Sequence, residues 1–147
     1  METIFEIIRI EQIIREADEG VNYIIRSPED GAKIALRFIG RDDREVFFVM
    51  CLNTKNNVIA VHRCHVGSLN SSLVHPREVF KSAILNNASS VIVAHQHPSG
   101  DVTPSMEDIN VTRRLVEAGK LLGIEVLDHL VVNGDNSFTS LKEKGYI

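Results

Sequence analysis

The pattern of apolar positions predicts both strands and helices. Four segments have the composition of β-strands, namely 46–52, 58–62, 89–94 and 124–132. The first two are joined by the turn residues 53–57, which predicts a hairpin with a buried first strand. The third segment is apolar on both faces, as is typical of a central strand. After the fourth strand, residues 133–136 predict a turn and 137–147 a short closing segment.

Three further segments have helical periodicity. Ser27 as N-cap and Pro28 as first helical residue predict a helix to about Ile39, ending at Gly40. A second helix is predicted to open at His75-Pro76, with the apolar face Val79, Phe80, Ala83, Ile84 and Ala88. A third is predicted from Ser105 to Gly123, with the core stripe Ile109, Thr112, Leu115, Val116 and Leu122. The alternation of helices and strands predicts an α/β fold.

The first part of the chain has an ambiguous pattern. Residues 4–14 suit either an amphipathic helix or strands, and their β-branched content favours strands. A chain of 147 residues is long enough for one domain with its own core. We therefore expect a single domain over 27–147, with 1–26 as an N-terminal extension packed on it or leading into it.

Charge, cysteine spacing and the absence of long apolar runs limit the partners and the cellular location that we expect. The 16 basic and 20 acidic residues give a net charge of −4, without a block of like charges, so charge does not support nucleic-acid binding. Cys51 and Cys64 do not form a CxxC motif and are expected to be reduced thiols, with a disulfide between them as the alternative. The sequence has no long apolar run and no signal-peptide pattern, so we expect a soluble, cytoplasmic protein without a membrane partner.

The most informative segment surrounds two histidines at a strand end. Because strand residues i and i+2 face the same side, His95 and His97 present their rings together, about 6.5 to 7 Å apart at the backbone. A turn-rich loop then leads to Asp108 in the first turn of the third helix. Two imidazoles and one carboxylate would hold Zn²⁺ and leave one position for water, as in catalytic zinc sites. A water bound there would have its pKa lowered to about 7.

Structural explanations compete with this metal site. Isolated histidines are more often structural than metal-binding. Ser105 and Asp108 also fit the S/T-x-x-D/E capping pattern, which stabilises a helix start by about 1 kcal/mol without any metal. Both interpretations can hold together, because a capped helix start is a rigid support for a ligand.

The spacing also resembles a known family motif. His95-x-His97, seven residues, Ser105, two residues and Asp108 resemble the JAMM (MPN+) metalloprotease signature. Further matches resemble the RadC family (UPF0758), historically labelled DNA repair proteins, over about residues 27–147. They are the segment 67–72 (Gly-Ser-Leu-Asn-Ser-Ser), Pro76-Arg77-Glu78, His97-Pro98-Ser99-Gly100, Thr112, Asp128-His129 and the Ser-Leu pair near the end. Gln96 departs from the asparagine that is more frequent there. The resemblance implies a single-domain JAB1/MPN-like (cytidine-deaminase-like) fold, with a mixed central sheet flanked by helices.

The resemblance also implies roles for individual residues. His95, His97 and Asp108 would bind one Zn²⁺ per chain, and Ser105 would help to stabilise a tetrahedral oxyanion. Glu45, at the start of the strand 46–52, best matches the family's general base. Its alternative is a solvated residue in a charged cluster.

Other polar residues have both a functional and a structural explanation. Glu78 is the rival candidate for the general base, although its place in a first helical turn has a dipole explanation. His129 with Asp128 could orient a metal ligand. Asp101 and Ser99 are expected to shape the ligand loop. The group His62, Cys64 and His65 is expected to be a polar strand end rather than a metal site.

Three functions follow from these observations. The favoured one is a zinc-dependent hydrolase that cleaves a peptide or isopeptide bond in a protein or peptide substrate. The alternative is a DNA repair or recombination factor acting on or near nucleic acid. A non-catalytic MPN scaffold is disfavoured, because such scaffolds normally lack the ligand set. The sequence fixes neither the substrate nor the oligomeric state.

Overall fold

A computed structural model describes residues 2–8, 11–14, 16–67 and 74–147. The elements are α1 (Pro28–Ile39), β1 (Val46–Leu52), β2 (Val58–Val66), α2 (Pro76–Val79), α3 (Lys81–Leu85), β3 (Ser90–Gln96), α4 (Met106–Leu122), β4 (Glu125–Val132) and β5 (Phe138–Ser140). The strands form one mixed sheet in the order β2-β1-β3-β4-β5. Only the β3–β4 pair is parallel among these neighbours. The predicted mixed sheet flanked by helices is confirmed.

The sheet separates two apolar layers. On one face α1 packs Ile34, Ala35 and Ile39 against strand residues that include Phe48 and Leu130. On the other face, residues of α2, α3 and α4 pack against the alternate strand positions, which include Phe47, Val49, Val91 and Val93. Residues of β1 and β3 are buried at every position, because both strands are covered on both faces. The side chains at the end of β3 are therefore held on a strand that is buried on both faces.

Within residues 27–147, the predicted helices and strands agree with the structure except in detail. The predicted second helix is divided at Phe80 into α2 and α3, and Ile84 is 55% exposed instead of belonging to the core. Phe80 is buried at the break, and in α3 Ser82 and Ala83 are buried whereas Ile84 and Leu85 face solvent. In α4 the first part of the predicted stripe is buried, whereas Leu122 in the last turn before Gly123 is 48% exposed. The helix packs on the sheet through residues 108–119.

The strand prediction for 4–14 is wrong for the residues that the structure describes in this stretch. They lie outside helices and strands, and Ile4 and Phe5 are 90% and 96% exposed. A β-branched composition favours a strand only where a partner strand accepts its hydrogen bonds. Ile24 makes a single bridge to Asn57, next to the start of β2. Residues 9 and 10 lie outside the described part, and the domain boundary at 26/27 stays a prediction.

Two smaller predictions concern thiols and membranes. Cys51 and Cys64 are free cysteines, as expected. Burial raises the pKa of the Cys64 thiol to about 11, so it stays protonated at neutral pH. In the described ranges, no helix is both long enough and apolar enough to span a bilayer.

Candidate metal centre

The two predicted histidine ligands meet at the end of the central strand. His95 in β3 lies between Phe47 of β1 and Val131 of β4 in the sheet register, and its side chain is fully buried. His97 follows directly after β3, where its backbone N–H donates to the carbonyl of Val132. The Nε2 atoms of the two rings are 2.9 Å apart. The expected same-side placement of His95 and His97 is therefore present.

Asp108 joins the histidines from the start of α4. Its Oδ1 is 3.2 Å from Nε2 of His95, and its Oδ2 is 3.5 Å from Nε2 of His97. The same carboxylate closes a capping box, in which Ser105 N–H donates to Oδ2 at 2.7 Å and Asp108 N–H donates to Oγ of Ser105. The capping box is therefore present, and it leaves the carboxylate beside the two predicted ligands. The capping box holds the Asp108 carboxylate, which is 97% buried, next to the rings of His95 and His97.

The spacing of these donor atoms fits a metal ion. His95, His97 and Asp108 form a group whose ligand atoms all lie within 4.8 Å of one another. The two Nε2 atoms are 2.9 Å apart, and they lie 3.2 and 3.5 Å from the two different oxygens of Asp108. These separations are close to the edge of about 3.3 Å expected for a tetrahedron with zinc-nitrogen bonds of about 2.0–2.1 Å. Two imidazoles and a carboxylate are thus close enough to reach one cation.

The protonation of His97 supports the same conclusion. Nδ1 of His97 lies 2.6 Å from the backbone carbonyl of Asp101. A carbonyl only accepts, so Nδ1 carries the hydrogen, and in the neutral ring Nε2 presents a lone pair to the site. A lone pair that faces a buried carboxylate is unfavourable unless a cation or a proton lies between them. The chemistry of the donors therefore fits a metal ion.

The electrostatics of the group keep its carboxylate charged. Burial of Asp108 favours the neutral acid, but the adjacent His95 and His97 outweigh burial and hold the pKa of this carboxyl well below its usual range. The contact with Asp108 raises the pKa of His97, against a smaller opposing effect of burial. Asp108 is therefore ionised at neutral pH, and a proton on His97 would compete with a metal ion for that ring.

A second buried histidine lies behind His95. Nδ1 of His95 is 2.7 Å from Nε2 of His129 in β4, and Nδ1 of His129 is 2.5 Å from Oγ1 of Thr112 in α4. Thr112 in turn donates to the backbone carbonyl of Asp108 at 2.6 Å. Asp128 does not share this contact, since its carboxylate accepts from the backbone N–H groups of His129 and Lys142 and from the hydroxyl of Ser140. Of the predicted Asp128-His129 pair, only His129 touches a ligand.

Glu45 lies directly before β1, the strand that pairs with β3 beside His95. The register pairs Phe47 with His95, and a continuation of it by two residues would bring Glu45 opposite His97 on the same face. Glu45 is half-buried, and its charge contributes to the raised pKa of His97. The structure thus brings Glu45 near His97.

Ser105 is exposed at the start of α4, next to the carboxylate of Asp108. Its Oγ accepts from the backbone N–H of Asp108, which leaves the hydroxyl hydrogen as a donor. The catalytic roles of Glu45 and Ser105 stay predictions.

The segment before Glu45 is anchored by Gln96. This side chain lies between the two histidines in sequence and points to the opposite face of β3. Its amide nitrogen donates to the carbonyls of Asp42 and Arg44, at 2.5 and 2.6 Å. Gln96 is 99% buried. The residue that departs from the family pattern therefore fixes the backbone that leads to Glu45.

The other candidates for the general base and for metal binding do not belong to the group at His95. Glu78 pairs with Lys81 at 2.9 Å on α2 and α3, and this pairing lowers the pKa of Glu78. Among the described residues, a group of three possible metal-binding side chains forms at His95, His97 and Asp108, and neither His62 nor His65 belongs to it. The Asp101 side chain accepts from the backbone N–H of Thr103, in keeping with its predicted turn role.

Three contributions to the site were missed at the sequence level. Thr112 was assigned to the apolar stripe of α4, the carbonyl of Asp101 was not considered, and Gln96 was given no role. A threonine four residues after a ligand, on a buried helix face, was an available signal, because its hydroxyl must find a partner. Of the motif at 67–72, residues 68–72 lie outside the described residues.

Comparison with known proteins is consistent with this geometry. A family model described as the RadC-like JAB domain matches residues 25–146. The UPF0758 protein of Geobacillus sp. (strain WCH70) is 58% identical over 125 residues, which cover 85% of this chain and 55% of the relative. The UPF0758 protein YsxA of Bacillus subtilis is 58% identical over 126 residues, covering 86% of this chain and 54% of the relative. That of Moorella thermoacetica is 59% identical over 124 residues, covering 84% and 54%.

The extent of these matches decides the family. The chain spans about half the length of the curated relatives it matches. The family model covers most of the 147 residues and includes β3, α4 and all three members of the candidate metal group. The chain belongs to the RadC-like JAB domain family.

Proposed function

We propose that the protein is a zinc-dependent hydrolase that cleaves a peptide or isopeptide bond. The proposal depends on one observation. The side chains of His95, His97 and Asp108 converge at the C-terminal end of the buried strand β3. Two nitrogen donors and one oxygen donor favour zinc over magnesium or calcium, which prefer oxygen alone. Three protein ligands are typical of catalytic zinc sites, whereas structural zinc sites have four.

We assign a catalytic role to each side chain from its position. A zinc ion bound here would lower the pKa of a coordinated water to about 7. Glu45, near His97, takes a proton from the attacking water and passes it to the leaving amine. Ser105 donates its hydroxyl hydrogen to the oxyanion that develops on the substrate carbonyl. Asp108 keeps Ser105 in place through the capping box.

A substrate panel tests the proposal. The purified protein is expected to contain one zinc ion per chain and to cleave an unfolded peptide or an isopeptide-linked peptide, while single-stranded DNA stays intact. A strong chelator should abolish cleavage, because the activity depends on the metal, and added zinc should restore it. The measurements are zinc content by elemental analysis and product formation by mass spectrometry and gel.

Two outcomes would contradict the proposal. A wild-type protein that binds no zinc under these conditions would remove the metal centre. Zinc-dependent cleavage of DNA with intact peptides would favour the nucleic-acid alternative, which the net charge of −4 does not support.

Gln96→Met tests how Glu45 is positioned. Methionine has a similar length but cannot donate to the carbonyls of Asp42 and Arg44, so the segment before Glu45 loses both anchors. We expect kcat to fall roughly 10- to 100-fold, since small displacements of catalytic groups have effects of this size. Zinc content should not change, because the Gln96 side chain points away from the ligands. An unchanged kcat would show that Glu45 does not depend on these two hydrogen bonds.

A further inference from the structure

We propose that His129 and Thr112 are positioning residues that fix the tautomer of His95 for metal binding. A continuous chain of hydrogen bonds runs from Nδ1 of His95 through His129 and Thr112 to the backbone carbonyl of Asp108. It therefore connects one member of the metal group to another through two residues that do not belong to it.

The direction of every bond in this chain is forced by its last acceptor. The carbonyl of Asp108 has no hydrogen, so the hydroxyl of Thr112 must donate to it. Because that hydroxyl has a single hydrogen, its oxygen must accept from Nδ1–H of His129. In a neutral ring, Nε2 of His129 then has the lone pair, and it accepts from Nδ1–H of His95.

The consequence at the metal site is a defined donor atom. With its hydrogen on Nδ1, neutral His95 presents the lone pair of Nε2 towards Asp108 and His97. The opposite tautomer would place a hydrogen where the metal has to bind. The carbonyl of Asp101 performs the same task for His97 directly, whereas His95 needs two intermediates because it lies deeper in the protein.

The residues around His129 favour this direction of donors and acceptors in the hydrogen bonds. Thr112, His95 and His129 are all 0% exposed, so water does not compete for these hydrogen bonds. Phe47 packs edge-on against the His129 ring, with the ring centroids 5.7 Å apart. Both ring nitrogens of His129 have partners within this chain of hydrogen bonds, Nδ1 at Thr112 and Nε2 at His95.

The inference rests on the metal site of the proposed function, but not on its substrate. A residue that only filled the core would be replaced by an apolar residue of the same shape without any effect on the metal. If Thr112 acts through the chain of hydrogen bonds to His95, here called the relay, its hydroxyl group is required. Partners that orient a metal-bound histidine typically change metal affinity about 10- to 100-fold when they are removed.

Thr112→Val and Thr112→Ser separate these cases. Valine keeps the shape of threonine but removes the hydroxyl, so zinc affinity should fall about 10- to 100-fold. Serine keeps the hydroxyl and should restore affinity close to that of the wild type. Zinc affinity is measured by competition with a chromophoric chelator, and thermal unfolding of the metal-free variants shows whether each one folds.

A second measurement reads the tautomer without a variant. Long-range ¹H–¹⁵N correlation spectra of the zinc-loaded wild type should show His129 with its hydrogen on Nδ1. A hydrogen on Nε2 would overturn the relay, and so would a folded Thr112→Val protein with wild-type zinc affinity. If Thr112→Val does not fold, the wild-type spectrum decides. Failure of the wild type to bind zinc would instead overturn the proposed function, and neither readout depends on finding a substrate.

Discussion

Replacing Glu45 by alanine is expected to leave one zinc ion bound per chain and to lower the rate of cleavage about 10²- to 10⁴-fold, the usual contribution of a general base. Glu45 does not belong to the group of converging ligand atoms, so its loss leaves the metal donors intact. The attacking water and the leaving amine would lose their proton carrier. The effect is measured as kcat on the peptide found in the substrate panel, with zinc content determined on the same samples.

Two matched variants sharpen this experiment. Glu45→Gln keeps the size of the side chain and should be impaired like Glu45→Ala, since an amide cannot take up the proton. Glu78→Ala removes the rival carboxylate, which pairs with Lys81 on α2 and α3, and should retain wild-type kcat. Full activity in Glu45→Ala, or a large loss in Glu78→Ala, would show that the general base has been assigned to the wrong residue.

The parts of the fold that could be predicted are those whose patterns are set by local burial. β1 and β3 are buried on both faces, and their continuous apolar sequences predicted them. The stretch 4–14 failed because a strand also requires a partner, and composition does not reveal one. The division of the segment after His75 depends on how Phe80 reaches the core, which is a tertiary effect.

At the candidate site, too, local patterns could be predicted, whereas contacts that depend on the tertiary structure could not. His95, His97 and Asp108 lie within fourteen residues of one another, so a strand end and a helix start were enough to bring them together. Glu45 is fifty residues before His95, and its placement depends on the register between β1 and β3, so only the family resemblance pointed to it. The bond from Thr112 to His129 crosses from α4 to β4, and no spacing along the chain encodes that contact.

The double substitution His95→Ala/His97→Ala is expected to abolish zinc binding, since a lone carboxylate with water ligands holds zinc weakly. Wild-type protein should gain about 4 kcal/mol of unfolding free energy at a free zinc concentration 1,000 times its Kd, whereas the double variant should gain none. The measurements are elemental analysis and thermal unfolding with and without zinc. His62→Ala/His65→Ala removes two imidazoles from β2 and should keep the wild-type response. If the His95/His97 variant still bound one zinc ion per chain, the metal centre would have to lie elsewhere.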